Sequence, residues 1–146
     1  MKGIVIASHG KLCEGYIESA KLFFGEDLVQ VETCPLEMDS DPDKYVKEVL
    51  EKNSKVNSGE GTYILLDLWG GTPANMVQQL LNKGSLADAA VITGVNFPMF
   101  LELLGQRLTG NYDPDSLVRI GQEGIRRMSA ITKEKKTEEE ADEEIL

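Results

Sequence analysis

The sequence predicts an α/β protein built on an open, mainly parallel sheet of four strands with helices on both faces. Three observations carry this reading. Over the first 110 residues, short apolar runs rich in β-branched residues alternate with longer stretches whose apolar residues recur every three or four positions. The junctions carry glycines or a cap-then-proline pair, the punctuation of strand-to-helix connections. With 146 residues, 41% of them apolar and 27% charged, the chain has the size and composition of one soluble domain.

Gly3 to Ser8 reads as the first strand, and Gly10 opens a helix from about Lys11 to Phe24 in which Leu12, Tyr16, Ala20 and Phe23 form a stripe. Gly25 stops it. Leu28 to Cys34 is a second strand. Asp41 then sets a capping carboxylate before Pro42, and Tyr45, Val46, Val49 and Leu50 give the following helix its apolar face as far as about Asn57. Gly59 and Gly61 separate it from the third strand, Thr62 to Leu68, which is apolar enough to be buried on both faces. Thr72 and Pro73 repeat the cap-then-proline pattern ahead of a third helix that ends near Lys83, with Met76, Val77, Leu80 and Leu81 on its inner side. Ala89 to Thr93 is the fourth strand. A helix from Pro98 to about Leu108 carries Met99, Leu101, Leu103 and Leu104, and Asp115 to Gln122 continues as helix after a turn at 111–113. From Glu123 to Ile131 the pattern leans neither way: Gly121 and Gly124 weaken a helix, whereas Ile125, Met128 and Ile131 keep a step of three.

Charge narrows the possible functions. The formal net charge of −10 repels the phosphates of nucleic acid and of anionic membranes. Residues 133–146 hold three Lys against seven acids and almost no apolar residue before Ile145 and Leu146, so they are expected to form a disordered acidic tail behind a domain spanning 1–132, whose own charge is about −6. No apolar run approaches the ~20 residues that cross a bilayer, and the start has no signal-peptide pattern, so a cytoplasmic protein without membrane insertion is expected. Cys13 and Cys34 form no C-x-x-C pair and read as small buried residues.

In an open parallel sheet, ligands bind beyond the carboxyl ends of the strands. His9, the sole histidine, lies at such an end after the first strand, and Asp67 closes the third. An aspartate ending an apolar strand is costly unless something pairs with it. If the two strands are neighbours, Asp67 accepts the N–H of one ring nitrogen, fixes the tautomer and aims the lone pair of the other nitrogen outward, which makes His9 a nucleophile. The bland alternatives are an incidental histidine and a turn-capping aspartate. Gly70, Gly71 and Thr72 then outline a phosphate cradle: the glycines allow close backbone approach, and the helix start offers N–H groups and a hydroxyl. By itself this turn is a common helix start. Beside a nucleophilic histidine it favours phosphoryl transfer. Trp69 reads as a rim aromatic or partner contact. There is no Walker A lysine, no G-x-G-x-x-G and no cluster of metal ligands, so no cofactor or metal is expected.

Together Ser8-His9-Gly10, Asp67-x-Trp69-Gly70-Gly71-Thr72-Pro73-x-Asn75 and Gly94-Val95-Asn96-x-Pro98-Met99 resemble the enzyme IIA component of the mannose-type family of the bacterial phosphotransferase system, over Met1 to about Ile131. The resemblance implies that His9 accepts a phosphoryl group on Nε2 from the phosphocarrier HPr and passes it to enzyme IIB, which phosphorylates a sugar imported through the membrane components IIC and IID. It implies that Asp67 holds the other ring nitrogen, that Gly70, Gly71 and Thr72 meet the phosphate, and that Trp69, Asn96, Pro98 and Met99 meet the partners. It further implies a homodimer that exchanges a C-terminal antiparallel strand, which turns the ambiguous Gly124 to Ser129 into a short strand. Thr72 stands where many members carry Ser and keeps the hydroxyl. Since the chain ends after an acidic tail, IIB is expected on a separate chain.

Two rival chemistries lack their residues. A histidine phosphatase needs an arginine at the place of Ser8 and a second histidine, and a dehalogenase-type aspartyl phosphatase needs a carboxylate at the place of Trp69. A regulatory phospho-acceptor and a phosphoryl donor to dihydroxyacetone kinase would both keep His9, Asp67 and the glycine turn, and stay open as alternatives.

Overall fold

The computed structural model describes residues 1–131. Along the chain run β1 (Gly3–His9), α1 (Leu12–Phe24), β2 (Val31–Leu36), α2 (Pro42–Val56), β3 (Thr62–Leu66), α3 (Thr72–Asn82), β4 (Ala89–Thr93), α4 (Phe97–Thr109) and α5 (Pro114–Glu123). The four strands are parallel in the order β2-β1-β3-β4. β1 and β3 are therefore both central, and their βα loops are neighbours.

Successive strand side chains point to opposite faces, and two cores result. Ile4 and Ile6 of β1 with Tyr63 and Leu65 of β3 face Cys13 and Ala20 of α1, Phe100 and Leu103 of α4 and Leu117 of α5. Val5 and Ala7 with Ile64 and Leu66 face Tyr45 and Val49 of α2 and Val77 and Leu80 of α3. All five residues of β3 are buried, as its unbroken apolar run requires, and each such Ile or Leu contributes about 1.5–3 kcal/mol relative to exposure. Cys13 and Cys34 are free and buried, and burial pushes the Cys34 thiol up to about 12.

Side-chain caps start three helices, the one at Asp41 as expected. Asp41, Asn96 and Asp113 each accept a backbone N–H from the first turn, with proline at the start of the helix. At the carboxyl end of β3 the outcome differs. Gly71, not Thr72, is the cap residue of α3, and Thr72 is the first helical residue with no capping bond from its side chain. Gly71 has φ 88° and ψ 170°, a region that only glycine enters readily, so the turn into α3 is set by backbone freedom.

Two strands are displaced from expectation. β2 begins at Val31, because Gln30 has φ 52° and the Arg107 guanidinium takes the carbonyls of Val29 and Gln30. It runs on through Pro35, which an edge strand tolerates. β3 stops at Leu66, so Asp67 lies one residue beyond the strand. Residues 125–131 form neither helix nor strand within the single chain. A strand needs a ladder partner, and the described residues give this segment none; the exposed side chains Ile125, Met128 and Ile131 follow from that. The expected tail at 133–146 lies outside the described residues.

Candidate functional site

The parallel register of β1 and β3 pairs Ala7 with Leu66, and the chain beyond each strand brings His9 and Asp67 together. His9 ends β1. A buried serine fixes its loop from behind: Ser8 Oγ accepts the Cys13 N–H at 2.9 Å and donates to the Gly10 carbonyl at 2.9 Å. This hydroxyl does from the strand what a cap residue does from the helix, since Lys11 makes no side-chain cap at α1.

Asp67 accepts three hydrogen bonds. Its Oδ2 takes both the backbone N–H of His9 and the ring Nδ1, each at 2.9 Å, and its Oδ1 takes the Leu68 N–H at 3.0 Å. A carboxylate that accepts from Nδ1 makes that nitrogen the protonated one, and Nε2 carries the lone pair. The side chain of Asp67 is 9% exposed and that of His9 is 44% exposed. The orienting group is therefore sheltered while the histidine side chain reaches solvent.

Gly71 lies against that nitrogen. A Cβ placed there would sit 3.3 Å from Nε2 and 3.1 Å from Cε1 of His9, closer than a methyl group is comfortably held. At the end of β3, the Val95 N–H bonds the Leu66 carbonyl at 2.9 Å, and the Tyr16 hydroxyl donates to the Val95 carbonyl at 2.9 Å. Burial, reinforced by the nearby charge of Asp67, raises the Tyr16 phenol, which keeps its proton for this bond. The loop after β4 is thus tied to β3 and α1 next to Asp67.

The other expected site residues are placed as follows. Gly70 has φ 75° and with Gly71 shapes the turn between β3 and α3. Thr72 stands at the start of α3, beside the N–H groups that the helix leaves unpaired. Trp69 is 87% exposed and Leu68 55% exposed, at the rim. Trp69 and Gly70 also border a cleft of about 330 Å³ that continues between α3 and the β4 edge past Asn75, Gln78 and Thr93. Three of the four residues implied as partner contacts are engaged within the chain. Asn96 caps α4 and donates from Nδ2 to the Gly121 carbonyl at 2.7 Å. Pro98 packs so closely on Gly124 that a Cβ there would meet it at 2.6 Å. Met99 is 3% exposed and belongs to the core, a helix-spacing position whose inward side the sequence motif does not reveal. Of the four, Trp69 alone is presented in full.

Sequence reasoning missed the capping role of Ser8 and the tether from Tyr16. A Ser-x-Gly directly after a strand is a faint signal for the first. The second has none, since Tyr16 and Val95 meet across 79 positions.

The chain was compared with known proteins. A family model described as "EIIA-man: PTS system fructose IIA component" matches residues 3–116. The mannose-specific EIIAB component of the phosphotransferase system of Escherichia coli (strain K12) is 29% identical over 140 residues, which are 90% of this chain and 41% of that protein; the chain thus spans about two fifths of that relative. The sorbose-specific EIIA component of Lacticaseibacillus casei is 28% identical over 103 residues, 68% of this chain and 70% of that protein. Among solved structures, the IIA protein associated with the fucose utilization operon of Streptococcus pneumoniae superposes with a TM-score of 0.77 at 26% identity, covering 86% of this chain and 92% of its own. The mannose/sorbose-specific IIA subunit from Enterococcus faecalis shares the fold, with a TM-score of 0.75 at 22% identity over 90% of this chain and 98% of its own.

Proposed function

This chain belongs to the EIIA-man family of phosphotransferase-system IIA components, and from that premise we propose that it is a phosphoryl carrier in sugar uptake, accepting the group from HPr on His9 and passing it to enzyme IIB. The observation that carries the reading is the 2.9 Å contact between Asp67 and His9 Nδ1, which leaves Nε2 unprotonated beside a glycine turn.

The transfer needs no bound cofactor. The Nε2 lone pair attacks the phosphorus of the donor's phosphohistidine, the new N–P bond forms as the old one breaks, and the electron pair of the old bond returns to the donor nitrogen. The His9 ring, with a proton on Nδ1 and phosphorus on Nε2, becomes cationic, and Asp67 at 2.9 Å offsets that charge. N–H groups at the start of α3 and the Thr72 hydroxyl meet the phosphoryl oxygens. Onward transfer to IIB is the same step reversed against a second acceptor. Exposed Trp69 and Leu68 belong to the rim that both partners touch. IIC and IID are reached through IIB alone. Among the described residues no helix is long and apolar enough to cross a membrane.

The same reading makes the protein a homodimer. Among the described residues β4 has a partner on one side alone, and the segment from Gly124 to Ser129 exposes Ile125 and Met128. In a second copy this segment adds antiparallel to β4. Sedimentation of the full chain at micromolar concentration tests this: a monomer refutes it.

The function is tested by incubating the protein with phosphorylated HPr and a candidate IIB and following the label. Acid-labile phosphate on His9 that moves to IIB is the expected result. Label incorporated equally by His9→Ala refutes the assignment, and label that stays on His9 in the presence of every cognate IIB points to a regulatory acceptor.

A further inference from the structure

We propose that Arg126 of the partner subunit completes the phosphoryl site of each His9, so that one working site is built from two copies of the chain. The proposal rests on the homodimer and the carrier function above and adds the group that meets the phosphoryl oxygens from the side of β4.

The site needs a cation that its own wall does not supply. A phosphoryl group in transfer spreads negative charge over three oxygens, and such groups are met by Arg or Lys. The His9 ring is held at the end of β3, with Asp67 2.9 Å from Nδ1 and Gly71 against Nε2, and Asp67 brings a further negative charge. Residues 56–82, which include β3 and the Gly70-Gly71-Thr72 turn, contain no Lys and no Arg. Residues 84–106, through β4 and most of α4, contain none either. Lys83 stands between these stretches at the C-terminal end of α3, the end away from the turn. Lys11 opens α1, which packs on the other face of the sheet from α3.

The chain carries arginines to this edge from α5. Asn96 Nδ2 donates to the Gly121 carbonyl at 2.7 Å and Gly124 packs on Pro98, so α5 ends against the loop beyond β4. The segment that follows, Ile125-Arg126-Arg127-Met128, therefore leaves from the carboxyl edge of the sheet, with Ile125 and Met128 exposed.

The two edges of the sheet differ in what they accept. β2 includes Pro35, the Lys52 ammonium takes the Thr33 carbonyl, and Lys55 pairs with Glu32 at 2.7 Å; proline and lysine close an edge to further strands. β4 reads Ala-Ala-Val-Ile-Thr, without proline or charge, and runs along the cleft of about 330 Å³ beneath α3. A second copy joins this edge.

Pairing decides which arginine reaches the site. When residues 125–131 lie antiparallel to β4, centre opposite centre, Met128 meets Val91, Arg126 meets Thr93 and Ala130 meets Ala89. Directly opposed residues share a face. Val91 lines the cleft with Val77 and Leu81, so Met128 of the partner subunit enters its apolar part, which an unbranched thioether fills well. A slip of one residue would set Arg127 or Ser129 on that apolar floor instead. The partner's Arg126, opposite Thr93, then stands where Trp69 and Gly70 border the cleft. An added strand lies two spacings, about 10 Å, from β3. The long arginine side chain from one side and the His9 ring with its phosphoryl group from the other bridge that gap, and the planar guanidinium donates to two oxygens at once. In the single chain Arg126 Nε donates to the Glu123 carbonyl at 2.9 Å, an exposed bond that a charged phosphoryl group displaces.

The test uses Arg126→Gln, which keeps a long polar side chain and removes the charge, and follows label from phosphorylated HPr alongside sedimentation. The expected result is a dimer whose rate at saturating donor falls roughly tenfold or more while KM stays within about twofold, because the guanidinium acts on the charge in transfer. Arg126→Lys recovers part of that rate. Mixing Arg126→Gln with His9→Ala restores the fast rate to the mixed dimers, in which His9 of one chain meets the intact arginine of the other. A dimeric Arg126→Gln labelled at the wild-type rate overturns the proposal. So do mixed dimers that form without recovering the rate, since Arg126 then acts within its own chain. If Arg126→Gln falls to monomers, a wild-type rate in dimeric Arg126→Lys overturns the proposal and assigns Arg126 to assembly alone, whereas a several-fold loss supports it. A monomeric wild type labelled normally on His9 overturns the shared site and the homodimer and leaves the carrier function standing. A wild type that takes no label from phosphorylated HPr overturns the carrier function, and this proposal with it.

Discussion

Replacing Asp67 by asparagine keeps the volume of the side chain and removes its charge, and the structure says what each change costs. Asp67 Oδ2 accepts from His9 N and from Nδ1, and Oδ1 accepts from Leu68 N. An amide can keep its oxygen at the Oδ2 position and hold the ring, but its NH2 group then faces the Leu68 N–H; the flipped amide opposes two donors at once. The first orientation wins, with the loss of one hydrogen bond, about 1 kcal/mol of stability. Catalysis loses more. A unit charge near 4 Å from the cationic ring is worth about 4 kcal/mol at an effective dielectric of ~20, and the 44% exposure of His9 reduces this to roughly 2 kcal/mol. Transfer should slow by about thirtyfold, within a window of roughly ten- to a thousandfold, at nearly unchanged fold. Rapid-quench measurement of label moving from phosphorylated HPr to the protein, and from the phosphorylated protein to IIB, reads both directions. Rates within twofold of wild type in both would show that Asp67 is a turn cap and nothing else.

The glycine beside the reacting nitrogen gives a second expectation: Gly71→Ala should lose about 1–3 kcal/mol from its backbone conformation, and a Cβ 3.3 Å from Nε2 should cut the phosphorylation rate at least tenfold below the melting transition, whereas a normal rate would place the phosphoryl group elsewhere. Trp69→Ala should leave the melting temperature within about a degree, because the ring is 87% exposed, while weakening transfer; unfolding instead would assign Trp69 to the core. Arg107→Met should cost roughly 2–4 kcal/mol in chemical denaturation with transfer unaffected, since its guanidinium donates to the carbonyls of Lys2, Val29 and Gln30 at the end of the sheet away from His9. Burial pushes the Cys34 thiol from 9.0 and the Tyr63 phenol from 10.0 each up to about 12. Both are neutral when protonated, so the folded state holds their protons more tightly than the unfolded chain. Their contribution to stability is whole below about pH 9 and is lost as pH rises from there toward 12, which urea titrations at pH 8, 10 and 11 would show as a falling midpoint.

Period and punctuation determined the architecture before any coordinates. The apolar run from Thr62 to Leu68 had to hold a strand covered on both faces, which in the fold ends at Leu66, and the spacing of Tyr45, Val46, Val49 and Leu50 behind Asp41-Pro42 had to be a helix, because an unbroken apolar run of strand length or an apolar period of 3.6 residues dictates the element. His9 and Asp67 were legible for the same reason: polar residues at the ends of apolar strands in a parallel sheet gather at one edge. Local pattern is silent on contacts across the chain. That Ser8 caps α1 from the strand, that Tyr16 holds Val95, that Met99 turns inward and that Gly71 rather than Thr72 caps α3 depend on distances between residues far apart or on a single backbone angle. The start of β2 moved because an arginine more than seventy positions away takes the carbonyls of Val29 and Gln30 just ahead of it. Pattern records which side chains avoid water, but the pairing of a particular donor with a particular acceptor is decided when the elements pack, where an unpaired polar group costs more than any local preference supplies.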